Sequence, residues 1–358
     1  MNGDESIRAI DHQITILIPV YNDWDSLNPL LTMIDETLLD HELSAGILVI
    51  DDGSTADPPS QWNNGHAYLA LPKIELLTIK RNLGHQRALA IGIAHAEHRG
   101  TCDELIVMDG DGEDDPRDIP RLIARSRSES GRSIVFAERT RRSESLGFRV
   151  FYHLYKALHR LLIGQKVRVG NFSLIPRSRL ASLSVVSELW IHYAAAAFRS
   201  RQPVSFLPTV RAKRLRGKSR MNFSSLVMHG LSAISVNGDL MAVRLLIVMS
   251  ALGLMDLSAL AVTSHFQLGG SLAVPPSWIF IGLGVLLLNL MAMTVGFLIL
   301  ILSGRLISGF LPKRDHMFYH EGVRPLLTIA SSSRSETPRS LRATSKTMEF
   351  RHVPRQPL

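Results

Sequence analysis

The chain has 358 residues, a formal net charge of +8 at pH 7 and one cysteine, Cys102. This length allows one large domain with an appendage or two domains, and a single cysteine excludes an internal disulfide. The positive charge suggests an anionic partner, such as a phosphorylated ligand or an acidic membrane, but no motif that reads nucleic acid accompanies it. Because the first dozen residues are polar and charged, no signal peptide is predicted and the N-terminal part is expected to stay in the cytosol.

Short apolar runs rich in Ile and Val alternate with helical patterns in the first part of the chain. The predicted strands are 14–20, 46–52, 73–79, 104–110 and 133–139, and the predicted helices include 27–40 and 86–98. This alternation predicts an α/β fold with a mostly parallel sheet covered on both faces. Ligands bind such sheets at the carboxyl ends of the strands, where the sequences YND, DDGS, RNLG and DGDGEDD follow the first four strands. We therefore expect four polar loops to meet at one edge.

The stretch VMDGDGEDDP carries five carboxylates within seven positions, and their mutual repulsion has to be offset. They are Asp109, Asp111, Glu113, Asp114 and Asp115. A calcium loop of the EF-hand type needs Gly at its sixth position and Glu at its twelfth. Counted from Asp109, those positions hold Asp114 and Pro120, so the sequence does not fit this type of loop.

Two interpretations of the acidic stretch remain, a solvated turn and a divalent-cation site completed by the phosphates of a ligand. We favour the cation site, because the stretch begins at the end of a buried strand, where Asp109 and Asp111 would face the ligand. Asp114 and Asp115 are predicted to begin the following helix, with Pro116 in its first turn.

Two apolar segments near the C-terminus predict a pair of membrane-spanning helices. Residues 278–302 contain no charge over 25 positions, and about 20 apolar residues span a bilayer core. Residues 245–264 are similar but contain Asp256, and a buried core helix is the alternative for them. Lys and Arg precede the first span and follow the second but are absent between them, so both ends are expected to face the cytoplasm.

The carboxylate of Asp256 needs a polar partner within hydrocarbon. In an antiparallel pair of helices, Asn289 of the second span lies at a similar depth. We predict a hydrogen bond between these two side chains, within or between subunits. A transport role is less favoured, because one isolated carboxyl group does not form a pathway.

Two further segments have the apolar stripe of amphipathic helices. Residues 147–164 are expected to pack on the domain core or to lie in the membrane interface, and residues 221–236, which directly precede a span, are expected in the interface. The last 28 residues are rich in Ser and Arg without periodicity, which indicates a disordered basic tail.

Four motifs, IPVYND, VIDDGST, RNLGHQRAL and MDGDGEDDP, match in order and spacing the GT-A glycosyltransferases of family 2. Within that family, RLRGKSRMN followed by two spans resembles the polyprenyl-phosphate glycosyltransferases of the dolichol-phosphate-mannose-synthase type. The resemblance covers about residues 13–305. It implies a GT-A fold and a transfer, with inversion, of a sugar from a UDP- or GDP-sugar to a polyprenyl phosphate. It also implies Mg²⁺ or Mn²⁺ as cofactor and a site on the cytoplasmic face of the cell membrane, and a homo-oligomer is one option.

The resemblance also divides the chain. The expected segments are an N-terminal tail (1–12), a catalytic domain (13–220), a juxtamembrane helix (221–241), a transmembrane hairpin (242–304), a cytoplasmic basic segment (305–330) and a disordered tail (331–358).

The same resemblance implies roles for individual residues. Those implied for the nucleotide-sugar are Pro19, Tyr21, Asp23, Asp51, Asp52, Gly53, Ser54, Asn82, Gly84, Arg87 and Asp109. Those implied for the metal are Asp109, Asp111 and Glu113, and those for the acceptor phosphate are Arg214, Gly217, Ser219 and Arg220. Asp23 stands where the family usually has Glu, and Glu113 where it often has Gln. For the acceptor set, a solvated basic loop that attracts anionic lipid is the alternative.

The sequence departs from the family at RVGNFSL, where the usual pattern resembles DxGDFRL. Both expected carboxylates are absent, with Asn171 in place of the second, so either the chemistry does without them or activity is reduced. An acceptor phosphate is already anionic and needs no general base, whereas a hydroxyl acceptor would need one.

Residues outside the motifs complete the predicted catalytic set around Asp111. Candidate bases are Glu188 and His192, which the spacing of four puts on one helix face, and Arg168 is a candidate for contact with a phosphate. The alternatives for function are a family 2 transferase acting on a lipid or glycan hydroxyl, and a weakly active nucleotide-sugar-binding scaffold. The 14 histidines show no metal-ligand spacing, and His85 in RNLGHQR is the one singled out for testing.

Overall fold

Apolar strands form one mixed sheet at the centre of the protein. The computed structural model describes residues 13–58, 68–139, 169–217, 223–268, 276–307 and 311–328. The strands are β1 (Ile14–Val20), β2 (Ala45–Asp51), β3 (Lys73–Ile79), β4 (Glu104–Val107), β5 (Ile134–Arg139), β6 (Val169–Pro176), β7 (Val204–Thr209) and β8 (His320–Thr328). Their order is β7-β5-β6-β4-β1-β2-β3-β8. The expected mostly parallel α/β fold is confirmed, since β1–β2, β1–β4, β2–β3 and β5–β7 pair in parallel.

The strands are apolar along their length because helices cover both faces of the sheet. These helices are α1 (Trp24–Asp40), α2 (His85–Arg99), α3 (Ile119–Ser128), α4 (Arg177–Leu183) and α5 (Tyr193–Arg199). In β1, Ile16 and Ile18 belong to a buried cluster with side chains of α1 and α3. Leu17, which lies between them, belongs to a second cluster with α2, α4 and α5. Successive side chains of a strand point to opposite faces, so a strand between two helical layers has to be apolar throughout.

The strand β8 lies beyond the two apolar segments in sequence and was not predicted. It pairs antiparallel with β3, with Leu77 opposite Val323, and the backbone N–H of Lys80 donates to the carbonyl of Tyr319 at 3.0 Å. The sheet therefore includes part of the segment 305–330, which the sequence analysis separated from the catalytic domain. The strand contains Pro325 at a register shift, as an edge strand tolerates.

Three further helices follow β7. They are α6 (Phe223–Ser235), α7 (Gly238–Leu268) and α8 (Pro276–Ile307). The prediction of a helix before the first span is thus confirmed, and its position in a membrane interface stays a prediction. The predictions for residues 1–12, 147–164 and 331–358 fall outside the described residues.

Among the described residues, α7 and α8 contain two segments that are long and apolar enough to cross a membrane. These segments are Gly238–His265 and Trp278–Ile299, each with a mean hydropathy of 2.2. In the 18-residue apolar stretch within each segment, 0% and 11% of the residues, respectively, are buried within the protein, which argues against the alternative of a buried core helix. Because β7 before the helix pair and β8 after it belong to one sheet, the pair returns the chain to the side from which it leaves.

The predicted contact between the two apolar helices is confirmed within one chain. The Nδ2 atom of Asn289 donates to Oδ2 of Asp256 at 3.3 Å, and Asn289 is buried in the helix pair. Each of the two polar side chains thus has one partner where water would be absent in a membrane, while Oδ1 of Asn289 has none among the described residues.

Replacing Asn289 with Leu should destabilise the helix pair, because it leaves the Asp256 carboxyl group without its partner. In a double-mutant cycle with Asp256→Leu we expect a coupling energy of about 1 kcal/mol. The free energy of unfolding of the full chain can be measured by denaturant titration in mixed micelles. Thr294→Val is the control, because that hydroxyl donates to Leu290 of its own helix. Additive effects of the Asp256 and Asn289 changes would show that the pair is not coupled.

Candidate functional site

The loops that follow β1 and β2 are joined by hydrogen bonds at the carboxyl edge of the sheet. The backbone N–H of Asn22 donates to Ser54 Oγ at 2.9 Å, and Asn22 Oδ1 accepts from the N–H groups of Thr55 and Ala56 at 2.9 and 3.0 Å. Asp51 Oδ1 accepts from the N–H of Ser54 at 2.9 Å. Sequence analysis singled out the neighbours of Asn22 but missed this residue, whose short side chain and positive φ of 51° are typical of a turn.

Asp52 joins the second loop to the third. Its two carboxylate oxygens accept from the N–H groups of Leu83 and Gly84 at 2.8 and 2.9 Å. Burial raises the pKa of this carboxyl group, although both backbone hydrogen bonds act in the opposite direction. The resemblance implied contact with the nucleotide, whereas in the structure both oxygens hold the start of α2.

The turn between these loops requires glycine at position 53. Gly53 has a φ of +67°, and a Cβ atom there would lie 2.5 Å from the backbone of Arg81 and Asn82. The other residues implied for the nucleotide surround this turn. Pro19 is buried in β1, Tyr21 and Asn82 are exposed, and the Arg87 guanidinium lies 5.2 Å from the ring centre of Trp190.

Each carboxylate of the acidic stretch has a cationic partner. The pairs are His85 with Asp109, Arg214 with Asp111, Arg211 with Glu113, Arg139 with Asp114 and Arg117 with Asp115. The repulsion that the sequence raised is therefore offset by side chains drawn from several parts of the chain. One of the partners, Arg214, begins the basic motif RLRGKSRMN that precedes the apolar helices, and Arg211 lies three residues before it.

Asp109 lies at the end of β4 in a cluster with His85 and Asn171. Its Oδ1 atom is 3.3 Å from His85 Nε2 and 3.5 Å from Asn171 Nδ2, and the last two nitrogens are 2.9 Å apart. Burial alone would raise the pKa of Asp109, but the charge of His85 holds it at about 2. The same ion pair raises the pKa of His85, against the effect of burial. The asparagine that replaces the family's aspartate therefore lies directly beside the first carboxylate of the expected metal pair.

Asp114 and Asp115 were both predicted to begin the following helix, which is confirmed for Asp115 and wrong for Asp114. Asp115 caps a short 3-10 helix that begins at Pro116, and its carboxylate accepts from the N–H of Arg117 at 3.0 Å. Asp114 is buried before this helix, where its oxygens accept from the N–H of Asp109 and from Arg139, both at 3.0 Å. Burial and the charge of Asp109 raise the pKa of Asp114 to about 7. Asp114 therefore shapes the acidic loop instead of starting a helix.

The basic segment 211–217 lies directly on the acidic loop. Arg214 donates through Nη1 to Asp111 Oδ2 at 2.8 Å and through Nη2 to the carboxylate of Asp23. The backbone N–H of Leu215 donates to the carbonyl of Asp111 at 3.0 Å, and its side chain packs where a Cβ on Gly112 would lie only 2.4 Å away. The acidic and basic motifs, which sequence analysis assigned to separate ligands, thus form one site.

Other residues of the predicted acceptor and catalytic sets are less informative. Gly217 is exposed with a φ of +66°. Ser219, Arg220 and Arg168 fall outside the described residues, so their roles stay predictions.

The two candidate bases do not share a helix face, contrary to the prediction. The helix is interrupted after the 3-10 turn Ser187–Trp190, and His192 caps the next helix by accepting from the N–H of Ala195 at 3.4 Å. The carboxylate of Glu188 accepts from Arg199 Nε at 2.7 Å. Arg199 also binds Asp239 through two contacts of 2.9 Å, which places Glu188 in an ion-pair network at the start of α7.

The donor set at the sheet edge fits a divalent cation of the hard type. Asp109 and Asp111 follow a buried strand and are separated by one glycine, and carboxylate oxygens are the ligands that Mg²⁺ and Mn²⁺ prefer. Burial and the charge of Asp109 raise the pKa of Asp111, although Arg214 acts in the opposite direction. The crowding of like charges therefore favours the binding of a cation at this pair.

Comparison with protein families and curated proteins gives related sequences. Residues 15–190 match the model of the family described as glycosyl transferase family 2. An undecaprenyl-phosphate 4-deoxy-4-formamido-L-arabinose transferase of Klebsiella pneumoniae is 31% identical over 134 residues, which cover 37% of this chain and only 39% of the relative. A protein of the same name from Salmonella choleraesuis is 26% identical over 274 residues, covering 74% of this chain and 79% of the relative.

The solved structures that match this chain include a glucosyl-3-phosphoglycerate synthase from Mycobacterium tuberculosis. Its complex with phosphoglyceric acid has a TM-score of 0.46 and 17% identity, covering 64% of this chain and 80% of that chain. A complex with Mn²⁺, UDP-glucose and phosphoglyceric acid has a TM-score of 0.44 and 16% identity, covering 63% and 78%.

Replacing Asp114 with Ala should lower the free energy of unfolding by about 3 kcal/mol, because it leaves the largely buried Arg139 guanidinium without its carboxylate. Asp115→Ala is the matched control, since it removes a helix cap whose partner Arg117 is exposed, at a cost of about 1 kcal/mol. Both values can be measured by chemical denaturation of the full chain in detergent micelles. Equal losses for the two variants would show that Asp114 does not hold the loop.

Proposed function

Residues 15–190 are a glycosyl transferase family 2 domain, and from this premise we propose that the protein transfers a sugar from a nucleoside-diphosphate sugar to a polyprenyl phosphate. The observation that carries the proposal is the contact of Arg214 with both Asp23 and Asp111. It joins the carboxylates expected to serve the donor to the basic segment expected to serve the acceptor. The names of the Klebsiella and Salmonella relatives, which specify undecaprenyl phosphate, support this acceptor class.

The donor would lie along the loops that follow β1, β2 and β3. Asp51 and Ser54 form the turn on which a nucleoside would rest, with Tyr21 exposed beside it. Asp109 and Asp111 would hold a divalent cation, Mg²⁺ or Mn²⁺, which supplies neutralisation of the charge on the leaving diphosphate.

Arg214 has two kinds of anion within reach in this proposal. In the structure its guanidinium neutralises Asp23 and Asp111. A guanidinium presents paired donors that match a phosphate as well as a carboxylate. Release of Arg214 from Asp111 would therefore allow it to bind the acceptor phosphate next to the donor, which would make occupation of the two subsites interdependent.

The reaction requires little proton transfer from the protein. An oxygen of the acceptor phosphate would attack the anomeric carbon, and the bond from that carbon to the diphosphate would break with inversion. Because the attacking oxygen is anionic at neutral pH, positioning and charge neutralisation would supply most of the catalysis. This is compatible with an active enzyme that has Asn171 where the resemblance leads us to expect an aspartate, with Nδ2 of that amide donating to Asp109 Oδ1 at 3.5 Å.

The hydroxyl-acceptor alternative is less well supported by the candidate bases. The Glu188 carboxylate is paired with Arg199, and the Nδ1 atom of His192 accepts a hydrogen bond from a helix N-terminus. The scaffold alternative has one observation in its favour, which is Asn171 itself. A protein that binds nucleotide-sugar and turns over weakly would also tolerate this replacement.

We place the site at the cytoplasmic face of the cell membrane. Both ends of the helix pair lead into the same sheet, so the domain lies wholly on one side of the pair. The excess of Lys and Arg in the segments flanking the hairpin favours the cytoplasmic side.

A transfer assay tests the proposed function. The full chain in lipid nanodiscs is incubated with labelled UDP- and GDP-sugars, Mg²⁺ or Mn²⁺, and either a polyprenyl phosphate or the corresponding polyprenol. We expect a sugar-linked lipid only with the phosphate and no product in EDTA. Asp111→Asn should lower kcat at least about 100-fold, because charge neutralisation at the diphosphate is lost. Asp40→Asn, at the exposed end of α1, is the control. Transfer that survives EDTA, or no transfer from any donor, would contradict the proposal.

The proposed role of Arg214 gives a separate prediction. Arg214→Lys should raise the KM for polyprenyl phosphate about tenfold, because an ammonium cannot contact the phosphate through two parallel donors. Arg211→Lys is the matched control in the same segment, since the carboxylate that Arg211 pairs with among the described residues is Glu113, and Arg211 is more exposed than Arg214. Steady-state kinetics at saturating donor separate the two variants. An equal rise in KM for both would indicate general attraction of an anionic lipid by a basic loop.

A further inference from the structure

Three histidine side chains meet away from the carboxylate site, where the C-terminal strand joins the domain. His95 lies in α2, His316 lies in a 3-10 turn that follows the short helix α9 (Pro312–Asp315), and His320 is the first residue of β8. The ring centre of His95 lies 6.0 Å from that of His316 and 5.5 Å from that of His320. The ring centres of His316 and His320 are 5.8 Å apart. We refer to these three residues as the histidine cluster.

Four ring nitrogens of the histidine cluster are buried without hydrogen-bond partners among the described residues. His95 and His316 are 8% and 1% exposed. Among the described residues, no partner contacts Nε2 of His95, Nε2 of His316 or either ring nitrogen of His320. Buried polar atoms in proteins are nearly always paired, so three such side chains facing one another point to a missing partner common to all of them.

The tautomer of His316 directs a lone pair into the cluster. Its Nδ1 atom lies 3.2 Å from the carbonyl oxygen of Lys313. A carbonyl only accepts, so Nδ1 carries the proton and Nε2 presents its lone pair to the other rings. A backbone carbonyl that fixes the second nitrogen in this way is the usual support of a metal-binding histidine.

The electrostatics of the cluster keep its rings neutral. Burial lowers the pKa of all three histidines, and that of His95 falls to about 4, with further contributions from His320 and Arg99. Neutral imidazole is the form that binds metals. At neutral pH the cluster therefore presents lone pairs instead of positive charge.

We propose that the histidine cluster binds one zinc ion, or a similar transition-metal ion, through one nitrogen of each residue. One such atom from each of the three residues lies within 4.8 Å of the other two. Zn–N bonds of about 2.0–2.1 Å in a tetrahedral site separate the nitrogens by about 3.4 Å, which rotation of the side chains can provide. A water molecule would complete the fourth position. Imidazole selects zinc over Mg²⁺ and Mn²⁺, so this site is chemically distinct from the Asp109–Asp111 pair.

The bound ion would fasten the end of the membrane hairpin to the domain. Its ligands come from α2, from the turn that follows the hairpin and from β8, which are otherwise joined by β3–β8 pairing and by contacts such as Lys313 Nζ to Glu97 Oε1 at 2.8 Å. The helix α2 also begins with His85, which contacts Asp109. The ion would therefore stabilise the helix that supports the carboxylate site without belonging to it.

Zinc binding can be measured directly on the full chain, purified in detergent through a tag without histidines. After treatment with chelator, zinc is titrated against a chromophoric competitor in excess Mg²⁺, which occupies the carboxylate site but not the imidazoles. We expect one ion per wild-type chain. Free zinc at a hundredfold excess over Kd should raise Tm by roughly 5 °C. His320→Asn should weaken binding at least tenfold and, at the same zinc concentration, reduce the rise in Tm to about half or less.

His41→Asn is the matched control, because His41 is an exposed histidine at the end of α1. It should bind zinc like the wild type. The Tm of metal-free His320→Asn, compared with metal-free wild type, separates loss of a ligand from loss of folding. If that variant does not fold, Co²⁺ bound to the wild-type chain should still show the intense absorption of a tetrahedral nitrogen site. Failure of the wild type to take up zinc would overturn the proposal. So would zinc uptake equal to that of the wild type by His95→Asn, His316→Asn and His320→Asn.

Discussion

The negative charge of residues 109–115 is the constraint on which the rest of the site depends. Five carboxylates follow a buried strand, and folding is unfavourable unless cations are brought to them. The structure supplies one cation to each, from α2, β5, the 3-10 turn and the segment before the apolar helices. That last segment carries Arg214, which pairs with Asp111. Neutralising the acidic loop therefore also brings the basic segment onto it. The same attraction that lets the loop fold therefore assembles the two halves of the proposed active site.

The strands and their helical covering could be predicted because burial on both faces leaves a plain sequence signal. Runs such as ITILIPV are apolar throughout, and β1 occupies the predicted residues, while β2 is displaced by one residue. The strand β8 gave no such signal, because an edge strand with a Pro, a Gly and charged residues resembles a loop in sequence. Its membership of the sheet depends on pairing with β3 across the whole membrane hairpin, which local sequence patterns do not encode.

The parts of the site that lie on a single loop could be predicted from their motifs. The contacts between loops that are far apart in sequence were missed. Asp109 and Asp111 lie at the expected edge, but no local sequence pattern indicates that Asp111 pairs with Arg214, 103 positions away. Asp114 was assigned to a helix start from its position before a proline, although its burial depends on Arg139 of another strand. Glu188 and His192 lost their common helix face because the chain leaves the helical path between them. The histidine cluster was overlooked because its third member lies in α2, far in sequence from the other two.

The insertion of the apolar helix pair between β7 and β8 explains why basic residues and histidines gather at its two ends. The chain leaves the sheet after β7 and returns as β8, so both junctions have to be fastened to the same domain. At the first junction the Arg199–Asp239 ion pair holds the start of α7, with Glu188 as a further partner. At the second, Lys313 bonds to Glu97 and the three imidazoles enclose their unpaired nitrogens. A junction fixed at both ends would keep the site at a constant height above the membrane, as an acceptor headgroup held in a bilayer requires. The polar residues that the carboxylate chemistry leaves unused thus serve the positioning of that chemistry.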